Sequence, residues 1–290
     1  MAHCIVPEAE AILDREFPVL DKGFVRLVDY LGGDRRVVQA ARVSYGEGTK
    51  TYREDAGLID YLLRNRHTSP FEQVALTFHI KLPIFVARQW IRHRTARLNE
   101  ISGRYSVMND DFYIPAAEDV ALQSADNKQG RSGAVDPEEA ETIRGGFAAG
   151  QKRAYGDYRE LVDRGLAREL ARINLPLSLY TEWYWQIDLH NLFHFLELRL
   201  DSHAQKEIRL YAGVLFDIAK KIAPCCCASF EEHALKGVRF SGAEFAELRR
   251  RLRAAGAGTA GTDRGGDFPP ELTDKALARF EEKITTGRQT

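Results

Sequence analysis

The sequence contains few cysteines, and their spacing does not suggest a disulfide framework or a set of zinc ligands. Its 290 residues include four cysteines, three of which are consecutive at Cys225, Cys226 and Cys227. No base or anion-binding context adjoins the triplet that would lower a thiol pKa. Because free cysteine packs as a small hydrophobic residue, we interpret the triplet as buried thiols near a helix end.

Long apolar runs and an excess of one charge are also missing. No run approaches the roughly 20 residues that span a bilayer. The N-terminus lacks a basic start followed by a long apolar stretch, so we expect a cytoplasmic protein with no membrane partner. The formal net charge is -1, which argues against a protein that coats nucleic acid. With 44% hydrophobic residues, the chain can bury one large core or two modest ones.

The sequence shows no internal repeat and no regular βαβ alternation, which favours an α+β fold with a mixed or antiparallel sheet and flanking helices. β-branched and aromatic residues predict strands within residues 23–33, 74–82 and 175–189.

Apolar periodicity predicts helices between and after these strands. Asp34 is the expected N-cap of the first helix, and Pro83 suits the first turn of another. Helices are predicted at 34–46, 54–66, 83–94, 137–173 with a break near Gly165, and 190–224 with a break near Asp201 and Ser202.

Three regions lie outside this regular pattern. Residues 1–23 are interpreted as an N-terminal arm, and residues at about 118–140 as a polar excursion or mobile loop without chemistry. Residues 241–290 are interpreted as a helical and Gly-rich tail, with a last helix from about 271.

Two motifs carry little weight. The stretch GAGTAG at 256–261 matches the glycine pattern of dinucleotide-binding folds, but no strand precedes it and no helix opens after it. His190 and His194 lie four residues apart with His203 nearby, which would suit a metal-dependent hydrolase. Asn191 stands where zinc proteases need a glutamate, so we predict no metal there.

The stretch RHRTARLNEISGRYS at 92–106 carries four arginines and little apolar filler. On a helix end, Arg92 and Arg94 would point about 200° apart and could serve two anions. Glu100 could form a structural ion pair or accept from a sugar hydroxyl or a ring N–H. On composition alone, a solvated basic surface loop or a nucleic-acid-binding helix explains the stretch equally well.

The pattern of this stretch closely resembles the signature of the flavin-dependent thymidylate synthases, the ThyX family. Arg92, His93, Arg94, Asn99, Glu100, Ser102, Arg104 and Tyr105 all match that signature, whereas Arg97 stands where the family usually has serine. RHTSPFEQ at 66–73 looks like the family's flavin-contacting turn, and residues 171–209 look like its second-half core. The resemblance implies a catalytic domain over residues 24–240.

The family makes dTMP from dUMP, with 5,10-methylenetetrahydrofolate as carbon donor and NADPH as reductant through bound FAD. The resemblance implies a homotetramer whose active sites are shared between chains, without a protein nucleophile. It assigns the catalytic role to Arg199, whose positive charge would favour ionisation of uracil N3.

The resemblance also implies two sets of binding residues. For FAD they are Ser69, Arg92, His93, Arg94, Glu100, Asp188, Leu189, His190 and His194. For dUMP they are Gln89, Trp90, Ile91, Arg92, Glu100, Ile101, Ser102, Gly103, Arg104, Arg172 and Arg199.

Overall fold

The centre of the fold is a five-stranded antiparallel sheet with the strand order β1-β2-β3-β7-β4. A two-stranded hairpin, β5-β6, lies outside it. The strands are β1 (Glu16–Val19), β2 (Gly23–Leu31), β3 (Ala75–Pro83), β4 (Arg97–Glu100), β5 (Ala121–Gln123), β6 (Arg131–Ala134) and β7 (Tyr180–Asp188). The sheet confirms the predicted α+β class and the predicted strands β2, β3 and β7.

Helices make up most of the remaining chain in this computed structural model, which describes residues 4–45, 52–125, 130–254 and 274–286. They are α1 (Pro7–Glu10), α2 (Asp34–Ala41), α3 (Tyr52–Arg64), α4 (Ile84–Trp90), α5 (Pro137–Asp163), α6 (Arg168–Ala171), α7 (Leu189–Arg199), α8 (Lys206–Ile222), α9 (Pro224–Phe230), α10 (Gly242–Ala254) and α11 (Asp274–Thr286). The predicted break near Gly165 separates α5 from α6, at a positive φ of 81°. The chain divides into two units, residues 1–228 and 229–290.

One face of the sheet forms the core of the first unit. Alternating residues of β3 and β7 are buried on this face. Trp90, on α4, is completely buried there and packs against Trp183, Trp185 and Phe195, with ring centroids 5.7, 5.2 and 4.7 Å away. This aromatic cluster joins α4 and α7 to the sheet.

Two regions that we expected to be irregular are part of regular structure. Strand β1, in the expected N-terminal arm, pairs with β2. The excursion at 118–140 forms the β5-β6 hairpin and the start of α5. Arg131 of this hairpin donates to the buried Glu207 over 3.0 Å, and Lys206 pairs with Asp119. The polar composition of the excursion thus reflects ion pairs to α8, and its described residues include regular structure that the sequence pattern did not predict.

Asp34 has a different role from the predicted one. Gly33 is the N-cap of α2, and the Asp34 carboxylate accepts from the backbone N–H groups of Cys225 and Cys226, over 2.8 and 2.9 Å. Cys226 and Cys227 are buried, and burial raises the pKa of Cys226. These observations confirm the interpretation of buried thiols at a helix end for Cys226 and Cys227, whereas Cys225 is only partly buried.

The second unit has its own buried ion pair. Lys283 on α11 lies 2.8 Å from the Glu244 carboxylate on α10, and both side chains are at most 10% exposed. Residues 256–261, which carry the glycine pattern, lie outside the described ranges. None of the helices in the described ranges is long and apolar enough to cross a membrane.

Candidate active site

The arginine-rich stretch begins where α4 ends. Trp90 is the last residue of α4, so Arg92 and Arg94 lie in the irregular segment between α4 and β4. The expected separation of about 200° along a helix is therefore wrong. Both side chains are exposed, and neither has a hydrogen-bond or ion-pair partner within the described ranges. Two unpaired guanidinium groups on residues two positions apart in the sequence suit an anionic ligand.

His93 and Arg199 form the central polar contact of the site. The Arg199 Nε–H donates to His93 Nε2 over 3.0 Å, although 106 residues separate them in the sequence. Burial, together with the positive charge of Arg199 and the proximity of His194, lowers the pKa of His93 to about 4. His93 is therefore neutral at pH 7 and carries its proton on Nδ1. Burial also lowers the pKa of Arg199, which remains a cation because guanidinium does not deprotonate in proteins.

This low pKa predicts a specific loss of stability in acid. An unfolded histidine binds a proton near pH 6.5, whereas folded His93 resists protonation down to about pH 4. The free energy of unfolding should therefore fall as the pH decreases between these values. We expect His93→Gln to lose less stability than the unmodified protein when urea denaturation is compared at about pH 7 and about pH 4.5.

The control for this prediction is His203→Gln, because His203 is 64% exposed and lies outside the contact with Arg199. This variant should follow the unmodified protein. An equal acid-induced loss in the unmodified protein and in His93→Gln would contradict the prediction.

The middle of the arginine-rich stretch forms β4, an edge strand that was not predicted from the sequence. All four residues of β4 are exposed, and the strand pairs with β7. Glu100 accepts a hydrogen bond of 2.6 Å from the hydroxyl of Thr181. Arg97 lies on this strand and donates to Gln186 over 3.2 Å. The departure from the family's usual serine is thus compatible with an exposed side chain at the sheet edge.

The turn after β4 brings Gly103 against Arg172. A Cβ at Gly103 would lie 2.8 Å from Met108 Sδ and 3.2 Å from Arg172 Cδ, so a larger residue would displace both side chains. The Arg172 side chain is exposed and has no hydrogen-bond or ion-pair partner in the described part of the chain. Arg104 pairs with Glu169 over 3.1 Å. Two further predicted dUMP contacts, Arg172 and Arg104, therefore lie beside this turn.

Several predicted site residues have internal roles. Trp90 and Leu189 are completely buried, so their side chains face the core, whereas Ile91 and Ile101 are exposed. Asp188 is the N-cap of α7 and accepts from the Asn191 backbone N–H over 2.9 Å. His194 lies near His93, with ring centroids 6.1 Å apart, whereas His190 is partly buried in the first turn of α7.

The remaining predicted residues lie at other edges of the fold. Ser69 lines a cavity of about 400 Å³ together with Arg36, Gln39 and Gln73. None of the residues of the arginine-rich stretch at 92–106 lines this cavity. Gln89 hydrogen-bonds to Gln205, at the start of α8. Ser102 accepts from the Arg104 backbone N–H over 3.3 Å. Within the described ranges, no three His, Cys, Asp or Glu side chains are grouped as metal ligands.

Comparison with protein families agrees with the motif. Residues 26–225 match the family described as thymidylate synthase complementing protein, and residues 238–290 match the ThyX C-terminal domain. The chain belongs to the flavin-dependent thymidylate synthases. A relative of that name from Treponema pallidum is 60% identical over 290 residues, which cover all of this chain and 91% of the relative. Another from Treponema denticola is 62% identical and covers 96% of this chain and 100% of the relative.

A solved structure supports the same family assignment. The chain resembles the UMP/dUMP methylase PolB from Streptomyces cacaoi bound with 5-Br dUMP, at a TM-score of 0.69 and 32% identity. The match covers 75% of this chain and 98% of that one. It is consistent with the flavin-dependent thymidylate synthase fold of this chain.

Four residues next to the predicted site residues of this flavin-dependent thymidylate synthase could not be identified from the sequence. Thr181, Glu169, Gln205 and Arg36 contact predicted site residues or line the Ser69 cavity. No local pattern marks them, because each lies far along the chain from its partner. Only the antiparallel pairing of β4 with β7 could have indicated Thr181.

Proposed function

We propose that this enzyme methylates dUMP to dTMP, with 5,10-methylenetetrahydrofolate as the one-carbon donor, NADPH as the reductant and FAD as the bound flavin. The observation that carries this proposal is the contact between Arg199 and His93, together with Arg92 and Arg94, which flank His93 in the sequence, are exposed and have no side-chain partner within the described ranges. Dianionic nucleotides and diphosphates need such cations. A fold related to a methylase that binds 5-Br dUMP supports the same substrate class.

The available side chains fit FAD. Arg92 and Arg94 have free donors for its diphosphate, and Ser69 lines a cavity that offers a further contact surface. His93 and His194 present imidazole rings near each other, which suits contact with a flavin ring. We assign FAD to these residues with Glu100, Asp188, Leu189 and His190, where Leu189 would act through its backbone. Bound FAD supplies two-electron hydride chemistry that protein side chains lack.

We assign dUMP to the turn after β4 and its neighbours. The nucleotide phosphate would bind Arg172 and Arg104, helped by the close approach that Gly103 allows. The remaining assigned contacts are Gln89, Trp90, Ile91, Arg92, Glu100, Ile101, Ser102 and Arg199. Because Trp90 is buried, its contact would be through the backbone.

Arg199 acts electrostatically in this proposal. Neutral His93 accepts from Nε and holds the guanidinium plane, while the two terminal NH₂ groups remain available for the uracil. Partial burial strengthens a charge interaction at this position because water screens it less. The positive charge would favour the N3-ionised uracil and make C5 a better carbon nucleophile.

No protein nucleophile is needed. Cys226 and Cys227 are buried, and the raised pKa of Cys226 keeps it a thiol. Ser102 has no hydrogen bond to a general base in the described part of the chain, and its oxygen accepts from a backbone N–H.

We also propose that the enzyme is a homotetramer with active sites shared between chains. Strand β4 carries site residues on an exposed sheet edge, and Leu98 and Ile101 are 40% and 46% exposed there. An unpaired sheet edge that carries exposed apolar side chains beside a binding site is suited to pairing with another chain.

The proposed function is tested by the visible spectrum of the purified protein, followed by an assay for dTMP. We expect a flavin spectrum that NADPH bleaches. We expect dTMP only when dUMP and methylenetetrahydrofolate are both present. A colourless protein that stays inactive after FAD is added would overturn the proposal.

A further inference from the structure

We propose that Thr181 is a positioning residue for the nucleotide. Its hydroxyl would orient the Glu100 carboxylate so that one oxygen remains available to a hydrogen-bond donor of the nucleotide. This inference rests on the proposed function, because it takes Glu100 as a dUMP contact. It adds a residue that lies outside the arginine-rich stretch and touches no ligand itself.

Strand pairing explains why the two side chains meet. Glu100, the last residue of β4, is directly opposite Trp183 on β7. Thr181 lies two residues before Trp183 and therefore projects from the same face of the sheet, as the diagonal neighbour of Glu100. The two oxygens are 2.6 Å apart. The pairing register thus makes this contact a direct product of the fold.

The direction of the hydrogen bond follows from the chemistry of the two groups. An ionised carboxylate only accepts, so the Thr181 hydroxyl must donate its single hydrogen to Glu100 Oε1. Within the described ranges, the Glu100 carboxylate has no other hydrogen-bond or ion-pair partner. Oε2 therefore keeps its full capacity to accept.

Burial makes the contact suitable for positioning. Thr181 is 3% exposed and paired with Leu82 in the middle of the sheet, so its side chain has a fixed location. Glu100 is exposed on a four-residue edge strand, where its side chain would otherwise sample several rotamers. The Ile101 N–H donates to the Glu182 carbonyl over 2.9 Å and fixes the backbone below it. The hydrogen bond from Thr181 thus restricts the orientation of the Glu100 side chain.

The test compares Thr181→Val with Thr181→Ser in the flavin-loaded enzyme. Valine keeps the shape and removes the hydroxyl, whereas serine keeps the hydroxyl. We expect valine to raise the Kd and KM for dUMP about tenfold, the loss expected for one hydrogen bond to a charged group. Serine should stay within about twofold of the unmodified enzyme. The FAD content and the Tm of Thr181→Val should match those of Thr181→Ser.

A double-mutant cycle with Glu100→Ala separates positioning from a general structural effect, because alanine offers no acceptor for the Thr181 hydroxyl. If Thr181 acts through Glu100, Thr181→Val should change the Kd for dUMP by less than about twofold in the Glu100→Ala background. A full, multiplicative effect in that background would overturn the proposal. If the valine variant fails to fold, Thr181→Ala takes its place in the same cycle.

Two results distinguish failure of this inference from failure of the proposed function. Normal dUMP binding by Thr181→Val, together with weakened binding by Glu100→Ala, would overturn only the positioning role. Normal binding by Glu100→Ala would overturn both the positioning role and the assignment of Glu100 to dUMP. Formation of dTMP by the unmodified enzyme would still support the proposed reaction in either case.

Discussion

Replacing Arg199 with alanine should lower kcat by about 10³-fold, the loss typical when a fixed charge-stabilising group is removed from an active site. The protein should retain FAD and its overall fold, because Arg199 is only partly buried and, among the described residues, its side chain has a single hydrogen bond to a predicted FAD residue, His93. Turnover is measured with saturating dUMP, and FAD content is measured from the visible spectrum.

Two control variants test whether the fall in kcat comes from the guanidinium group of Arg199. Arg199→Lys keeps a positive charge and loses the planar fork that His93 orients, so it should recover only part of the activity. Arg164→Ala removes an exposed arginine of the surface pair with Glu160 and should be fully active. Unchanged turnover in Arg199→Ala would refute the role assigned to its charge.

Replacing Trp90 with alanine should have the largest effect on stability, a loss of about 3–5 kcal/mol in the free energy of unfolding. Trp90 is completely buried against Trp183, Trp185 and Phe195, so alanine would leave a large cavity between α4, α7 and the sheet. Urea denaturation measures the loss directly.

A second substitution, Trp90→Phe, tests whether the Trp90 side chain packs only in the core or also contacts the ligand. Trp90→Phe keeps most of the apolar surface and should recover much of the stability. It should also bind dUMP with nearly the unmodified Kd, since the indole ring contacts only the core. A Trp90→Phe variant with normal stability and weakened dUMP binding would instead support a side-chain contact with the nucleotide.

The fold could be predicted well where the signal is local. β-branched and aromatic residues identify β3 and β7, and the helix predicted to end at 224 ends in the structure at Ile222. Strand β4 could not be predicted, because its four exposed residues RLNE show no alternation of burial. Pairing with β7 makes it a strand, and that pairing is a tertiary interaction.

The roles of charged residues show the same division. Asp34 is a residue type that often caps a helix N-terminus, and it lies where the sequence predicts a helix to begin. Its carboxylate instead accepts from the backbone N–H of Cys225, 191 residues away. The polar residues of the excursion look like loop residues, yet Arg131 forms an ion pair with buried Glu207. Sequence reasoning identifies what such groups can bind, but the partner depends on which distant segment the core brings near.

Local patterns alone were enough to identify the class of the fold and the family motif, and to propose an anion-binding site, because residue type and short spacing carry that information. The tertiary structure alone determines that Arg199 reaches His93, that Thr181 reaches Glu100, and that Trp90 faces the core. The first two contacts span 106 and 81 residues. Their existence depends on strand register and helix packing, and no local segment of the chain encodes either.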